Sequence, residues 1–143
     1  MDGVSAAAAI VGLAVPAAHA TRILIDDINN IVKAPEAITS LVQDLESLEK
    51  ALAVLDAVPP ADLDLLGPDV VTEIKSALEL CKKGCEKFRG DLRRWTKHLD
   101  DGKLSWLEKV KVGFFKQKRI GALSSQLQNW KTTIGQVANV ATL

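Results

Sequence analysis

The side chains best suited to chemistry in this sequence are two cysteines and two histidines, and their spacing matches no common reactive site. Cys81 and Cys85 are four residues apart, so on a helix they share one face, where the geometry for a disulfide is poor. His19 and His98 lie far from each other and from the cysteines along the chain, which gives too few ligands at the spacings of a zinc site. We therefore expect both cysteines to be small apolar core residues in a reducing cytosol, with no metal and no cofactor.

The other signatures of catalysis and of nucleic-acid binding do not occur in the sequence. It has no phosphate-binding glycine loop, no nucleophile elbow and no HExxH motif. Its basic residues fall outside any helix-turn-helix, zinc-finger or RNA-recognition pattern. The sequence thus predicts a protein that is not an enzyme and that takes neither a small-molecule substrate nor nucleic acid.

The most unusual segment is the uncharged window from Gly3 to Thr21, which has 19 residues, eight of them alanine. Three interpretations compete: a cleaved signal peptide, a helix that enters a membrane, and a buried helix of a bundle. Ala18-His19-Ala20 resembles a signal-peptide cleavage site, but a basic residue is missing before Arg22. As a transmembrane helix the window spans about 28 Å, just short of a hydrocarbon core of about 30 Å.

Periodicity favours the bundle helix. Apolar residues recur at alternating spacings of four and three, which predicts a buried seam of Val4, Ala8, Val11, Val15 and Ala18. Pro16 interrupts this helix, and we expect it to kink or break the helix because it lacks a backbone donor.

Charge divides the chain into two halves. Residues 1–80 carry a net charge of −9 and residues 81–143 carry +9. The simplest explanation is that oppositely charged helices pack side by side, and the alternative is a basic surface that faces an anionic lipid.

The rest of the chain is dominated by helical seams. The spacing predicts one domain over residues 1–143, an all-α, elongated antiparallel bundle of four long helices plus one short amphipathic helix. The short helix is expected at Ser105-Trp106-Leu107-Glu108, which has the form of a capping box. The five predicted helices cover residues 4–32, 35–57, 68–99, 105–115 and 117–141. We also expect Gly84 and Gly90 to weaken their helix or to allow close approach of a neighbour.

Several segments resemble one known family. They are Met1 to Leu13, Val32-Lys33-Ala34-Pro35, Ile38 to Leu52, Ser105-Trp106 and Leu127-Gln128-Asn129-Trp130-Lys131. In this order and spacing they are similar to the fungal HeLo-like domains that form the N-termini of many STAND (NLR-like) receptors. The resemblance implies a helical bundle related to the HeLo domain and to the four-helix executioner domain of necroptosis.

The same resemblance implies a cell-death effector that is cytoplasmic at rest, moves to the plasma membrane on activation, self-associates and permeabilises the membrane. By position, insertion falls on Val4, Ile10, Val11, Leu13 and Val15. Anionic lipid headgroups are expected to contact Lys103, Lys109, Lys111, Lys116, Lys118 and Arg119. A homotypic interaction module without membrane activity is the alternative, because seams that pack helices within a chain can also pack them between chains.

Overall fold

The protein is a bundle of four long helices joined by short connections. The computed structural model describes residues 5–107 and 114–142, with the side chains of residues 114–116 excepted. The long helices are α1 (Ala6–Asn29), α3 (Leu41–Asp56), α5 (Pro68–Trp95) and α6 (Phe114–Ala141), and two helices of about one turn, α2 (Glu36–Thr39) and α4 (Pro60–Asp64), precede α3 and α5. The predicted all-α bundle is therefore confirmed.

Neighbours along the chain run antiparallel, yet they are not all neighbours in space. α1 packs against α3 and α5, and α6 packs against the same two helices. The four helices therefore form a square in which α1 faces α6 across one diagonal and α3 faces α5 across the other. The segment that contains α4 must cross the end of the bundle between α3 and α5.

The seams predicted for the later helices are confirmed. The buried side of α3 consists of leucines at alternating spacings of four and three. The buried side of α5 includes Ile74, Leu78, Cys81, Cys85, Phe88, Leu92 and Trp95. α6 buries Ile120, Leu123, Leu127, Trp130, Ile134 and Val137. Large aliphatic and aromatic side chains at helical spacing make such seams recognisable in a sequence.

The seam predicted for α1 is wrong in its position. The buried stripe keeps the spacing of three and four but consists of Ala7, Ile10, Ala14, Ala17, Thr21, Leu24 and Ile28. Val11 and Val15 are 37% and 58% exposed, and Ala8 is exposed as well. The valines are larger than the alanines, yet the alanines are buried because their small side chains let α1 lie close to its neighbours.

Pro16 lies inside α1 without breaking it, so of the two expected outcomes, a kink or a break, the break is excluded. The helix is continuous from Ala6 to Asn29. Because Pro16 has no N–H, the helical bond to the carbonyl of Gly12 is missing. The first helix also ends three residues before the predicted Val32.

A small sheet replaces the expected helix ends at one end of the bundle. Its strands are β1 (Ile31–Val32), β2 (Thr96–His98) and β3 (Leu104–Trp106), in the order β1-β3-β2. β3 pairs in parallel with β1 and antiparallel with β2, so that Ser105 lies opposite both Val32 and Lys97. The predicted helices 68–99 and 105–115 are therefore wrong at residues 96–99 and 105–106, and residues 108–113 of the latter lie outside the described residues.

Candidate functional site

The structure divides the five residues predicted to enter a membrane. Ile10 is fully buried and Leu13 is partly buried against the core, whereas Val11 and Val15 point outward. Val4 lies outside the described residues. The outer face of the first half of α1 is thus apolar and uncharged, and its inner face is mostly alanine.

Within the described part of the chain, α1 is the one helix that is long and apolar enough to cross a membrane. A window of 18 residues in it has a mean hydropathy of 1.7, and 39% of that window is buried in the bundle. Core helices of soluble proteins can satisfy the same criterion, so length and composition alone do not assign a membrane role.

The N-terminus of α1 is fastened by two side chains. The Ser5 hydroxyl accepts a hydrogen bond from the backbone N–H of Ala8 at 3.1 Å. The Asp64 carboxylate, at the end of α4, accepts one from the N–H of Ala7 at 2.9 Å. These bonds satisfy two donors of the first turn, and the Asp64 charge also complements the positive end of the helix dipole.

The second half of α1 carries its ion pairs. Arg22 donates from Nε to a Glu49 oxygen at 2.8 Å, which joins α1 to α3. Arg89 donates from Nε to Asp27 at 2.6 Å, which joins α5 to α1. The hydrogen bond with Glu49 raises the pKa of Arg22, so the guanidinium stays charged. The described ion pairs of α1 thus begin at Arg22, and residues 6–21 have none.

Thr21 lies between these two halves and is fully buried. Its hydroxyl donates to the carbonyl of Ala17 at 2.8 Å and lies 3.7 Å from the Sγ atom of Cys81 and 3.9 Å from that of Cys85. A hydrogen bond between the thiols, together with burial, raises the pKa of Cys85 well above its ordinary range. The two cysteines are buried, as the sequence predicts, and no disulfide joins them. The described residues contain no cluster of side chains suited to hold a metal ion.

Three of the six basic residues predicted to contact lipid have described side chains. Lys103, in the turn between β2 and β3, and Lys118, in the first turn of α6, are exposed at the sheet end of the bundle. Lys109 and Lys111 lie outside the described residues, as does the side chain of Lys116.

Arg119 has a different partner from the one expected. It donates from Nε to Asp91 at 3.1 Å and forms an ion pair with it, and Arg94 pairs with the same carboxylate. Asp91 is only 2% exposed, so its charge needs these partners. In the closed bundle Arg119 thus fastens α6 to α5, and its contact with lipid stays a prediction. The sequence does contain a sign that Asp91 needs a basic partner, because this acidic residue lies on the buried side of α5, next to Leu92 of the seam.

Gly84 on α5 and Trp130 on α6 mark a second point of contact between these two helices. A Cβ atom at Gly84 would lie 2.4 Å from the Cη2 atom of the Trp130 ring, whereas one at Gly90 would meet nothing within 4 Å. The close approach expected for these glycines is thus confirmed at Gly84 and is wrong at Gly90.

Comparison with known proteins gives one family. The sequence model of the family described as pigment biosynthesis cluster protein PigL N-terminal matches residues 1–143, the whole chain. No curated protein and no solved structure gives a significant match.

Proposed function

Because this chain belongs to the PigL N-terminal family of HeLo-like domains, we propose that it is the membrane-targeting effector domain of a fungal immune-type receptor of the STAND class. The domain rests in the cytoplasm as a closed bundle. On activation it self-associates, moves to the plasma membrane and permeabilises it through the first half of α1. The result is programmed cell death of the kind seen in heterokaryon incompatibility.

The observation that carries this proposal is the uneven attachment of α1. Residues 6–20 are uncharged and expose Val11 and Val15, and among the described hydrogen bonds only that from Ala7 to Asp64 joins them to polar groups of another helix. Thr21, next to them, adds its contacts with the thiols of Cys81 and Cys85 on α5. Ion pairs of α1 with α3 and α5 begin at Arg22. The first half of α1 can therefore leave the bundle first, and the second half follows only when these ion pairs break.

Burial also holds the first half of α1 less firmly than it holds α3. Up to Ala20, the buried residues of α1 are four alanines and Ile10, whereas α3 buries five leucines. A buried methyl group contributes about 0.8 kcal/mol and a buried leucine side chain roughly 1.5–3 kcal/mol. Releasing residues 6–20 therefore costs far less than releasing α3.

Exposed lysines at the sheet end supply the attraction to an anionic surface. Lys103 and Lys118 are exposed there, and each basic side chain close to such a surface contributes about 1 kcal/mol. This is enough to concentrate the domain at a membrane and too little to anchor it permanently.

A dye-leakage assay with vesicles rich in phosphatidylserine tests the proposal. Replacing both Val11 and Val15 with aspartate puts two charges on the exposed face of α1, each costing roughly 2.5–3.5 kcal/mol at a membrane centre. We expect leakage to be abolished while the helical circular dichroism stays unchanged. The matched control is Val54→Asp, since Val54 is an equally exposed valine on α3.

The outcomes separate insertion from nonspecific surface effects. Leakage by the double variant at the level of the Val54→Asp control would refute insertion through α1. Vesicles of phosphatidylcholine alone should leak less, because the lysines then have no anionic surface to bind.

The second candidate function is a homotypic interaction module without membrane activity. Three exposed valines on adjacent helices, Val11, Val15 and Val54, favour it, because another protein surface could cover them. Its distinguishing result is concentration-dependent assembly in solution together with no binding to vesicles of either composition.

A further inference from the structure

Two grooves on opposite sides of the bundle differ in charge. The first, here called the acidic groove, runs between α1 and α3, has a volume of about 270 Å³ and is lined by residues that include Ala14, Val15, Ala18, Leu52, Glu49 and Asp56. The second, the basic groove, runs between α5 and α6, has a volume of about 390 Å³ and is lined by residues that include Leu80, Ala122, Trp130, Lys83, Lys87 and Arg119.

The arrangement of the helices places these grooves back to back. α1 and α3 form one side of the square, and α5 and α6 form the opposite side. When two opposite sides of a molecule fit each other, each copy binds the next one head to tail. Such a contact does not close into a symmetric pair.

Charge complementarity identifies the occupant. The carboxylate of Glu49 is paired with Arg22 and Arg119 is paired with Asp91, so these residues are already compensated within the chain. Asp56, Lys83 and Lys87 are exposed and have no ion pair among the described residues. They place a negative charge at one groove and two positive charges at the other.

Apolar side chains accompany these charges on both sides. Val15, which lines the acidic groove, is 58% exposed, and Leu80, which lines the basic groove, is 53% exposed. Ridges of side chains that fit into the groove between two helices are the usual way in which helices pack. The exposed row of Val11, Val15 and His19 on α1 thus forms a ridge beside the acidic groove, and the basic groove with its apolar walls opens on the opposite side.

We propose that the basic groove of one copy receives the α1–α3 side of the next copy, so that the domain assembles head to tail. This rests on the self-association in the proposed function but not on membrane insertion. Asp56 of one copy lies near Lys83 and Lys87 of its neighbour, while Val15 covers Leu80. The contact repeats with every added copy because each copy presents both sides.

Sedimentation velocity without lipid, over a series of protein concentrations, tests this assembly. The wild-type chain is expected to form species larger than a dimer as its concentration rises, and high salt should shift them toward the monomer because salt screens exposed charges. Asp56→Lys should raise the dissociation constant at least about tenfold, the change that 1.4 kcal/mol produces. The double variant Lys83→Glu/Lys87→Glu should have the same effect.

Mixing the two variants gives the decisive result. In the mixture Asp56 of the second variant meets Lys83 and Lys87 of the first, and the new lysine of the first variant meets the new glutamates of the second. Opposite charges then face each other at every contact, so species larger than a dimer should form again. A wild-type chain that stays monomeric, a variant that assembles like wild type, or a mixture that fails to pair would each overturn the proposal. Circular dichroism establishes that all variants remain folded.

This test separates the assembly from the proposed membrane function. The substitutions leave the sequence of α1 unchanged, and no lipid is present during sedimentation. Loss of head-to-tail pairing would therefore leave α1 insertion standing, and failure of the leakage experiment would leave the assembly standing.

Discussion

Replacing Gly84 with alanine should destabilise the bundle, because the ring of Trp130 occupies the space that the new methyl group needs. The added Cβ atom would lie 2.4 Å from Cη2 and 3.2 Å from Cζ2 of that ring. Relieving such an overlap in a packed interface costs about 1–3 kcal/mol. Alanine returns about 1 kcal/mol because it favours the helix more than glycine does. The expected net loss is therefore roughly 0–2 kcal/mol.

Gly90→Ala is the matched control on the same helix. Its Cβ atom would have no neighbour within 4 Å, so only the gain of about 1 kcal/mol in helix propensity remains. The two variants should thus differ in their free energy of unfolding by roughly 1–3 kcal/mol, with Gly90→Ala the more stable.

Urea unfolding followed by circular dichroism measures that difference directly. Both variants should keep the wild-type dependence of the unfolding free energy on denaturant, so the difference appears in the midpoint alone. If Gly84→Ala were as stable as Gly90→Ala, Trp130 would not pack against Gly84 as described, and the basic groove would have a different floor.

Three further outcomes follow from buried or unsatisfied groups. Pro16→Ala restores the helical hydrogen bond to the Gly12 carbonyl, but it also makes the unfolded chain less restricted, which offsets part of the gain. The free energy of unfolding in urea should therefore rise by up to about 2 kcal/mol. No change would mean that the helix accommodates the proline without strain. Asp91→Asn removes the carboxylate that holds two arginines and should lower the free energy of unfolding by about 1–3 kcal/mol, whereas the exposed control Asp100→Asn should leave it unchanged. The hydrogen bond between the thiols raises the pKa of Cys85 and lowers that of Cys81, so their contributions to the pH dependence of stability oppose each other. In Cys81→Ala this hydrogen bond is gone and burial still raises the pKa of Cys85, so the free energy of unfolding should decline as pH rises above the unfolded-state pKa, between about pH 8 and pH 10. Cys81→Ala/Cys85→Ala should show no such decline.

The bundle was predictable from the sequence because its later helices carry large apolar side chains at regular spacing. Leu45, Leu48 and Leu52 can face only the core, so they fix both the helix and its buried side. In α1 the same spacing is met by two sets of residues, one of alanines and one that includes Val11 and Val15. The larger valines are the expected choice for the buried side, but close packing against α3 and α5 requires the smaller alanines. This choice cannot be read from the sequence of α1 alone, because it depends on the helices that pack against it.

Contacts between distant residues account for the other differences. Ile31 and Leu104 pair although 73 residues separate them along the chain, and only this pairing turns two expected helix ends into strands. Arg119 likewise has the appearance of a surface cation until Asp91 is found beside it. Of the candidate site, the uncharged segment was predictable, whereas its attachment through Asp64, Glu49 and Arg89 depends on tertiary structure.

The short parallel pair of β1 and β3 determines how far α1 can reach. Directly after the helix, the N–H of Leu104 donates to the carbonyl of Asn30 at 3.1 Å, and the Asn30 side chain donates to the carbonyl of Gly102 at the same distance. In the proposed insertion, a helix clamped there would move as a lever whose pivot is Asn30. Its 24 residues give an arm of about 36 Å, slightly longer than a hydrocarbon core of about 30 Å is thick.

The pivot lies at the same end of the bundle as Lys103 and Lys118. A bundle held by these lysines would therefore have its pivot at the lipid surface, and the tip of the arm would start at the far end. Insertion then requires a swing through roughly half a turn rather than a slide along the helix axis. Fixing the tip to α4 with a crosslink near Asp64 should stop that swing while leaving the bundle folded.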